Sequence, residues 1–205
     1  MKKQALRAQI LQKRDALTDV QRHNYSSEIT RSVRNLEEYK KAQKVLLFAS
    51  FRSEVDTREL TRAALADGKE VFFPKVQCNE DGCKEMEFYR VTSEDDLEKG
   101  YQGIPEPKGD WNNRLKRKDA AENILILTPG VVLDKQGHRI GYGGGFYDRF
   151  LKKLEEEILG NPNVLIYKIA IAYECQIVSP GLIAVESHDV RMDKVVTEKG
   201  VYQCI

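Results

Sequence analysis

No run of apolar residues in the chain approaches the length of a membrane span, and Met1-Lys-Lys-Gln-Ala-Leu-Arg7 lacks the apolar core of a secretory signal. A cytoplasmic protein without a membrane partner is expected. Excess charge is also missing: 33 Lys and Arg against 32 Asp and Glu leave a net +1. Nothing global then draws the chain to nucleic acid, and any cationic site must be local. Cysteine is scarce, and Cys78, Cys83, Cys175 and Cys204 show no C-x-x-C spacing, so reduced thiols are expected rather than a metal site or a disulfide framework. His188-Asp189 invites comparison with a catalytic dyad, but no G-x-S-x-G nucleophile accompanies it. The glycine-rich stretch lacks the Lys-Ser or Lys-Thr of a P-loop, and Phe146 stands where a dinucleotide fingerprint needs its third glycine.

What is present centres on residues 128–148. The apolar run Asn123-Ile-Leu-Ile-Leu127 enters this stretch, and a helix-like segment from Tyr147 to Leu159 leaves it. Between them lie Arg139 and the glycines Gly141, Gly143, Gly144 and Gly145, closed by Asp148. Glycines so dense leave the backbone unshielded, free to turn its amides toward an anion. A helix starting near Gly145 adds the positive potential of its unpaired N–H groups. Arg139 supplies a full charge, and a carboxylate such as Asp148 suits a hard cation such as Mg2+ set against phosphate oxygens. The outline is that of a nucleoside-triphosphate site; a plain flexible connector between strand and helix is the alternative.

Arg139-Ile-Gly-Tyr-Gly-Gly-Gly-Phe-Tyr-Asp148 resembles the signature of the 5-formyltetrahydrofolate cyclo-ligase family, with Pro129-Gly130 and Asp134-x-x-Gly137 matching its lead-in. The order of elements from Lys3 to Asp193 fits as well, so the resemblance covers nearly the whole chain. It implies ATP-dependent cyclisation of 5-formyltetrahydrofolate to 5,10-methenyltetrahydrofolate, with ATP as co-substrate and Mg2+ as cofactor. By the same resemblance, Lys3 and Arg7 meet the nucleotide phosphates alongside Arg139. Gly141, Gly143, Gly144, Gly145 and Tyr147 complete the ATP site, and Asp189 joins Asp148 at the metal, with Asp193 as the near neighbour to be told from it. Glu54 reads the pterin ring, where a carboxylate can accept paired hydrogen bonds from an amino-pyrimidine edge. Phe51, Tyr142 and Phe146 are candidates to flank the folate, and Ile104 and Glu106 are weaker ones. Some relatives carry basic residues between the glycines, at the sites of Tyr142 and Gly144 here. Another small-molecule phosphoryl-transfer enzyme, or a non-catalytic folate- or nucleotide-binding module, stands as the alternative.

The rest of the chain reads as one α/β domain over 1–205, a mainly parallel sheet flanked by helices. The resemblance implies a three-layer architecture similar to sugar-phosphate isomerases and CoA transferases, and a monomer. Residues 3–17 read as a helix in which Leu6, Ile10 and Leu17 share a stripe and Lys3, Arg7 and Arg14 an adjoining one. Without the resemblance, those cations read as solvated beside a core face. Thr18-Asp-Val-Gln21 is a capping box for a second helix, and Asp56-x-x-Glu59 is expected to cap another ending at Gly68. Lys44 to Ser50 reads as a buried strand whose exit loop carries Phe51 and Glu54. Glu70 to Pro74 and Met86 to Val91 read as strands about a polar excursion. Ser93-x-x-Asp96 reads as the start of a short helix, residues 108–122 as a charged linker, Val164 to Tyr173 as a central strand buried on both faces, and Lys194 to Thr197 as a last strand.

Overall fold

The computed structural model describes residues 3–78, 82, 84–116, 122–158 and 164–204. In chain order the elements are α1 (Lys3–Asp15), α2 (Asp19–Asn35), α3 (Glu37–Lys41), β1 (Lys44–Leu46), α4 (Arg58–Ala66), β2 (Glu70–Cys78) and β3 (Lys84–Val91). There follow β4 (Leu97–Lys99), β5 (Pro105–Pro107), β6 (Ile124–Thr128), β7 (Val132–Asp134), β8 (Arg139–Ile140), α5 (Phe146–Ile158), β9 (Ile166–Ile171), β10 (Ile177–Val178), β11 (Lys194–Thr197) and β12 (Gly200–Gln203). The principal sheet has the order β12-β11-β9-β6-β1-β2-β3. Pairing is parallel from β11 through to β2 and antiparallel at the two edges, β2 with β3 and β11 with β12.

The alternation of side chains along each strand supplies two cores. Val45, Val71, Leu125 and Ile169 face one side, where Ile29 and Val33 of α2 and Leu60 and Ala64 of α4 cover them. Leu46, Phe72, Ile124 and Ile126 face the other, against Phe150, Leu151, Leu154 and Ile158 of α5. Helices thus cover both faces of the sheet. Leu6 and Ile10 of α1 pack on a third cluster with Val131, Val132 and Ile140, over the small sheet β10-β7-β8. No helix among the described residues is long and apolar enough to cross a membrane.

The capping box forms as read, Thr18 Oγ1 accepting from the Gln21 amide while Gln21 Oε1 accepts from that of Thr18. Other local expectations need correction. The cap residue of α4 is Thr57, which makes no side-chain capping bond; Asp56 instead accepts from the Arg58 amide and guanidinium. Ser93 and Asp96 do form a capping box at the start of a short helix, but it is a single 3-10 turn over residues 94–96, because β4 follows at once and pairs with β5. The central strand is β6, buried throughout, whereas the first half of β9 is only partly covered. Lys194 to Thr197 is followed by a further strand, β12, on the edge. The expected helix stop at Gly160 to Asn163, Cys83, and residues 117–121 of the linker lie outside the described residues.

Along the sheet the chain runs from β1 toward β2 in one direction and from β6 toward β9 in the other. The reversal between β1 and β6 opens a crevice at their carboxyl ends, the usual ligand position in an open α/β sheet.

Candidate active site

A cleft of about 830 Å³ occupies this crevice. The loop after β1 contributes Phe51, Arg52 and Glu54, and the end of β6 contributes Pro129 and Gly130. The segment from Arg139 to Asp148 forms its floor, α1 supplies Lys3 and Arg7, and Glu186, His188 and Asp189 close one end. Every residue singled out above for a nucleotide, folate or metal role lines this one cleft, as do Ile104 and Glu106. Asp193 does not; it accepts hydrogen bonds from the Lys168 amide with its side chain and from the Cys204 amide with its carbonyl.

Charge gathers at one end. Arg139, its side chain only 5% exposed, donates from Nη2 to Asp148 Oδ1 at 2.9 Å. Burial works against the Arg139 charge and Asp148 works for it. The guanidinium Nε is buried with no partner among the described residues, an unmet donor on a side chain that lines the cleft. Lys3 reaches Glu186 at 2.6 Å and Asp189 at 3.4 Å, and its pKa is raised chiefly by the hydrogen bond to Glu186. Arg7 Nε donates to the Gly141 carbonyl at 2.8 Å, tying α1 to the glycine loop. Gly143 has φ +107° and Gly145 φ +62°, values that L side chains rarely adopt. A Cβ on Gly144 would lie 2.7 Å from the Phe146 ring. The missing side chains therefore give the loop both its conformation and its closeness to Phe146.

The donor set suits Mg2+. Asp148 spends Oδ1 on Arg139 and the Val190 amide, and Asp189 spends Oδ2 on Lys3 and the Glu186 amide. The second oxygen of each carboxylate takes no hydrogen bond from the described residues. No group of three or more metal-ligating side chains forms among the described residues. Mg2+ is commonly held by one or two carboxylates together with phosphate and water, so a pair fits it.

The other end is aromatic and acidic. Glu54 is buried, accepts from the Phe51 amide at 2.9 Å through Oε2, and takes no bond from the described residues at Oε1. Burial pushes its carboxyl up to about 7, against the pull of the Phe51 amide and of Arg14. Phe51 and Tyr142 meet edge to face at 6.0 Å between ring centres, and Phe146 meets Tyr101 likewise at 6.3 Å. Burial also raises the phenol of Tyr147, which lies beneath the Arg139 guanidinium, 5.7 Å from ring centre to Cζ.

Several lining residues escape sequence reading. Arg52 stacks on Phe51 at 4.9 Å with φ +55°, and Gln102 shares that left-handed φ; no local pattern marks either. Glu186 was legible only as a neighbour of His188. Arg14 is the clearest correction: it is not solvated but fully buried, donating to Ser53 Oγ and the Tyr142 hydroxyl.

An open, mainly parallel sheet with cations, glycine-loop backbone and paired carboxylates gathered at its strand ends defines the class, an α/β protein with a charged cleft at the carboxyl ends of its strands. Within that class, the chain belongs to the 5-formyltetrahydrofolate cyclo-ligase family, whose pattern it matches over residues 1–198. It is 30% identical to the mouse 5-formyltetrahydrofolate cyclo-ligase over 199 residues, covering 96% of this chain and 93% of that one. A probable 5-formyltetrahydrofolate cyclo-ligase of Schizosaccharomyces pombe is 31% identical over 208 residues, covering 100% and 99%. The NMR structure of Aquifex aeolicus 5,10-methenyltetrahydrofolate synthetase superposes with a TM-score of 0.79 at 33% identity, covering 100% of this chain and 93% of that one.

Proposed function

We propose that this chain catalyses ATP-dependent ring closure of 5-formyltetrahydrofolate to 5,10-methenyltetrahydrofolate, releasing ADP and phosphate. The observation that carries the reading is a cleft with two chemically distinct ends, in a chain similar over nearly its whole length to proteins bearing the cyclo-ligase name. The end where Lys3, Arg7 and Arg139 meet Asp148 and Asp189 suits a triphosphate with its metal; the end with Glu54, Phe51 and Tyr142 suits a flat ring with an amino-pyrimidine edge.

A formamide oxygen is a poor leaving group. Transfer of the terminal phosphoryl group of ATP to that oxygen makes an imidate phosphate. The side-arm nitrogen then attacks the formyl carbon, loses its proton, and phosphate departs with the former formyl oxygen. Such chemistry needs alignment and charge stabilisation more than a protein nucleophile. Arg139, Lys3 and Arg7 would meet the transferring charge, and the amides of Gly141 to Gly145 would cradle phosphate oxygens. Tyr147 supports Arg139 from below, while Glu54 orients the ring and Phe51, Tyr142 and Phe146 flank it. Asp148 and Asp189 would hold Mg2+, which supplies neutralisation of phosphate charge when bound. The reading extends to one domain over 1–205 acting as a monomer in the cytoplasm, with the architecture of sugar-phosphate isomerases and CoA transferases.

The test is absorbance in the methenyl-folate band after mixing protein, Mg2+, ATP and 5-formyltetrahydrofolate. Growth dependent on both ATP and Mg2+ is expected. ADP release without that band would favour another phosphoryl acceptor.

A further inference from the structure

One edge of α1 fastens two consecutive residues of the glycine loop. Arg7 Nε holds the Gly141 carbonyl at 2.8 Å, and Arg14 Nη2 holds the Tyr142 hydroxyl at 2.6 Å. Seven residues apart on one helix, the two arginines stand about 10 Å apart along its axis. Arg7 lines the cleft beside Gly141, whereas Arg14 lies behind the wall formed by Phe51 and Tyr142.

Arg14 reaches further than the loop. Its Nε donates to Ser53 Oγ at 3.0 Å, and Ser53 in turn donates to Asp15 of the same helix. Ser53 stands between Phe51 and Glu54, so one side chain joins α1, the loop after β1 and the glycine loop. Arg14 is 0% exposed, and its Nη1 is buried with no partner among the described residues. Burying a guanidinium with an unmet donor is costly, and an apolar side chain would fill the space without that cost. The arrangement is therefore poorly explained by packing. It is well explained by the two segments it fixes, since Tyr142 is 43% exposed and its ring otherwise meets Phe51, of the other segment, edge to face at 6.0 Å.

We infer that Arg14 is a positioning residue for the folate ring, holding Tyr142 and the Phe51–Glu54 loop together as one wall of the cleft. The inference rests on the folate reading above. Arg14 acts through Tyr142 and the loop, without touching substrate.

The experiment compares Arg14→Met, Tyr142→Phe and the double variant in steady-state turnover, varying 5-formyltetrahydrofolate and ATP separately. Each single substitution removes or orphans a charge-assisted hydrogen bond, so KM for the folate should rise about tenfold while KM for ATP moves less than about twofold. Because both changes break one contact, the double variant should resemble Arg14→Met rather than multiply the two effects. Equal rises in both KM values, effects that multiply, or an unchanged folate KM in Tyr142→Phe would each overturn the inference. Tyr142→Phe keeps the question open to test if Arg14→Met does not fold. The unsubstituted chain is assayed alongside: its failure to turn over overturns the folate reading and this inference together, whereas turnover with an unsplit KM response overturns this inference alone.

Discussion

Glu54 is the cleft residue whose proton should be visible in both stability and turnover. Its carboxyl ordinarily titrates at 4.5 and is pushed up to about 7 here, first by burial, with the Phe51 amide and Arg14 opposing. The folded chain then holds a proton that the unfolded chain has already lost between those values. Stability should therefore fall as pH rises from about 4.5 through 7, with ionisation of Glu54 costing about 3 kcal/mol in full. An amino-pyrimidine edge donates two hydrogen bonds, so folate binding favours the carboxylate. Accordingly kcat/KM for 5-formyltetrahydrofolate should rise with pH to a plateau above about 7. Glu54→Gln keeps an acceptor for the Phe51 amide but cannot ionise. It should lose the inflection, weaken folate binding more than ATP binding, and at about pH 8 unfold at a higher temperature than the unsubstituted chain. The assays are ADP release and thermal melting between about pH 5 and 8.5. A flat profile in the unsubstituted chain, or an inflection that survives in Glu54→Gln, would refute the reasoning.

Asp148→Asn should abolish turnover at every Mg2+ concentration, because it removes a carboxylate proposed to hold the metal and the counter-charge of Arg139. The loss of pairing to that buried cation should also cost about 3–5 kcal/mol in denaturant unfolding, the cost of breaking a buried pair. Gly144→Ala sets a Cβ 2.7 Å from the Phe146 ring, and the forced shift should lower kcat/KM by about 10- to 100-fold in steady-state assays. Glu186→Gln releases Lys3 from its 2.6 Å ion pair. With a competing anion gone, KM for ATP should fall by about two- to threefold at low salt, and less at high salt.

Apart from β12, the principal sheet was legible because its strands lie within apolar runs, even where, as at β1, the strand itself is only three residues long. The Thr18 box, the antiparallel pair around Gln77 to Lys84 and the buried run at Asn123 to Leu127 each carried a local signal. The small sheet β10-β7-β8 carried none, its strands being two or three residues long and ordered by contacts with α1. The glycine loop was readable because its composition is its chemistry. Arg14 was not: periodicity sets it at the edge of the apolar stripe, but its burial depends on Ser53 and Tyr142, distant in sequence. Likewise Val164 to Tyr173 is apolar enough for a central strand, yet β9 lies beside the centre and leaves its first half partly open. Composition reports apolar content and not strand order.

The central claim is that the formyl oxygen is phosphorylated before the ring closes. The most direct measurement follows 18O placed in the formyl group of 5-formyltetrahydrofolate through turnover with ATP. The account predicts that the label leaves in inorganic phosphate, one atom for each ring closed. Label in water, with unlabelled phosphate, would contradict it.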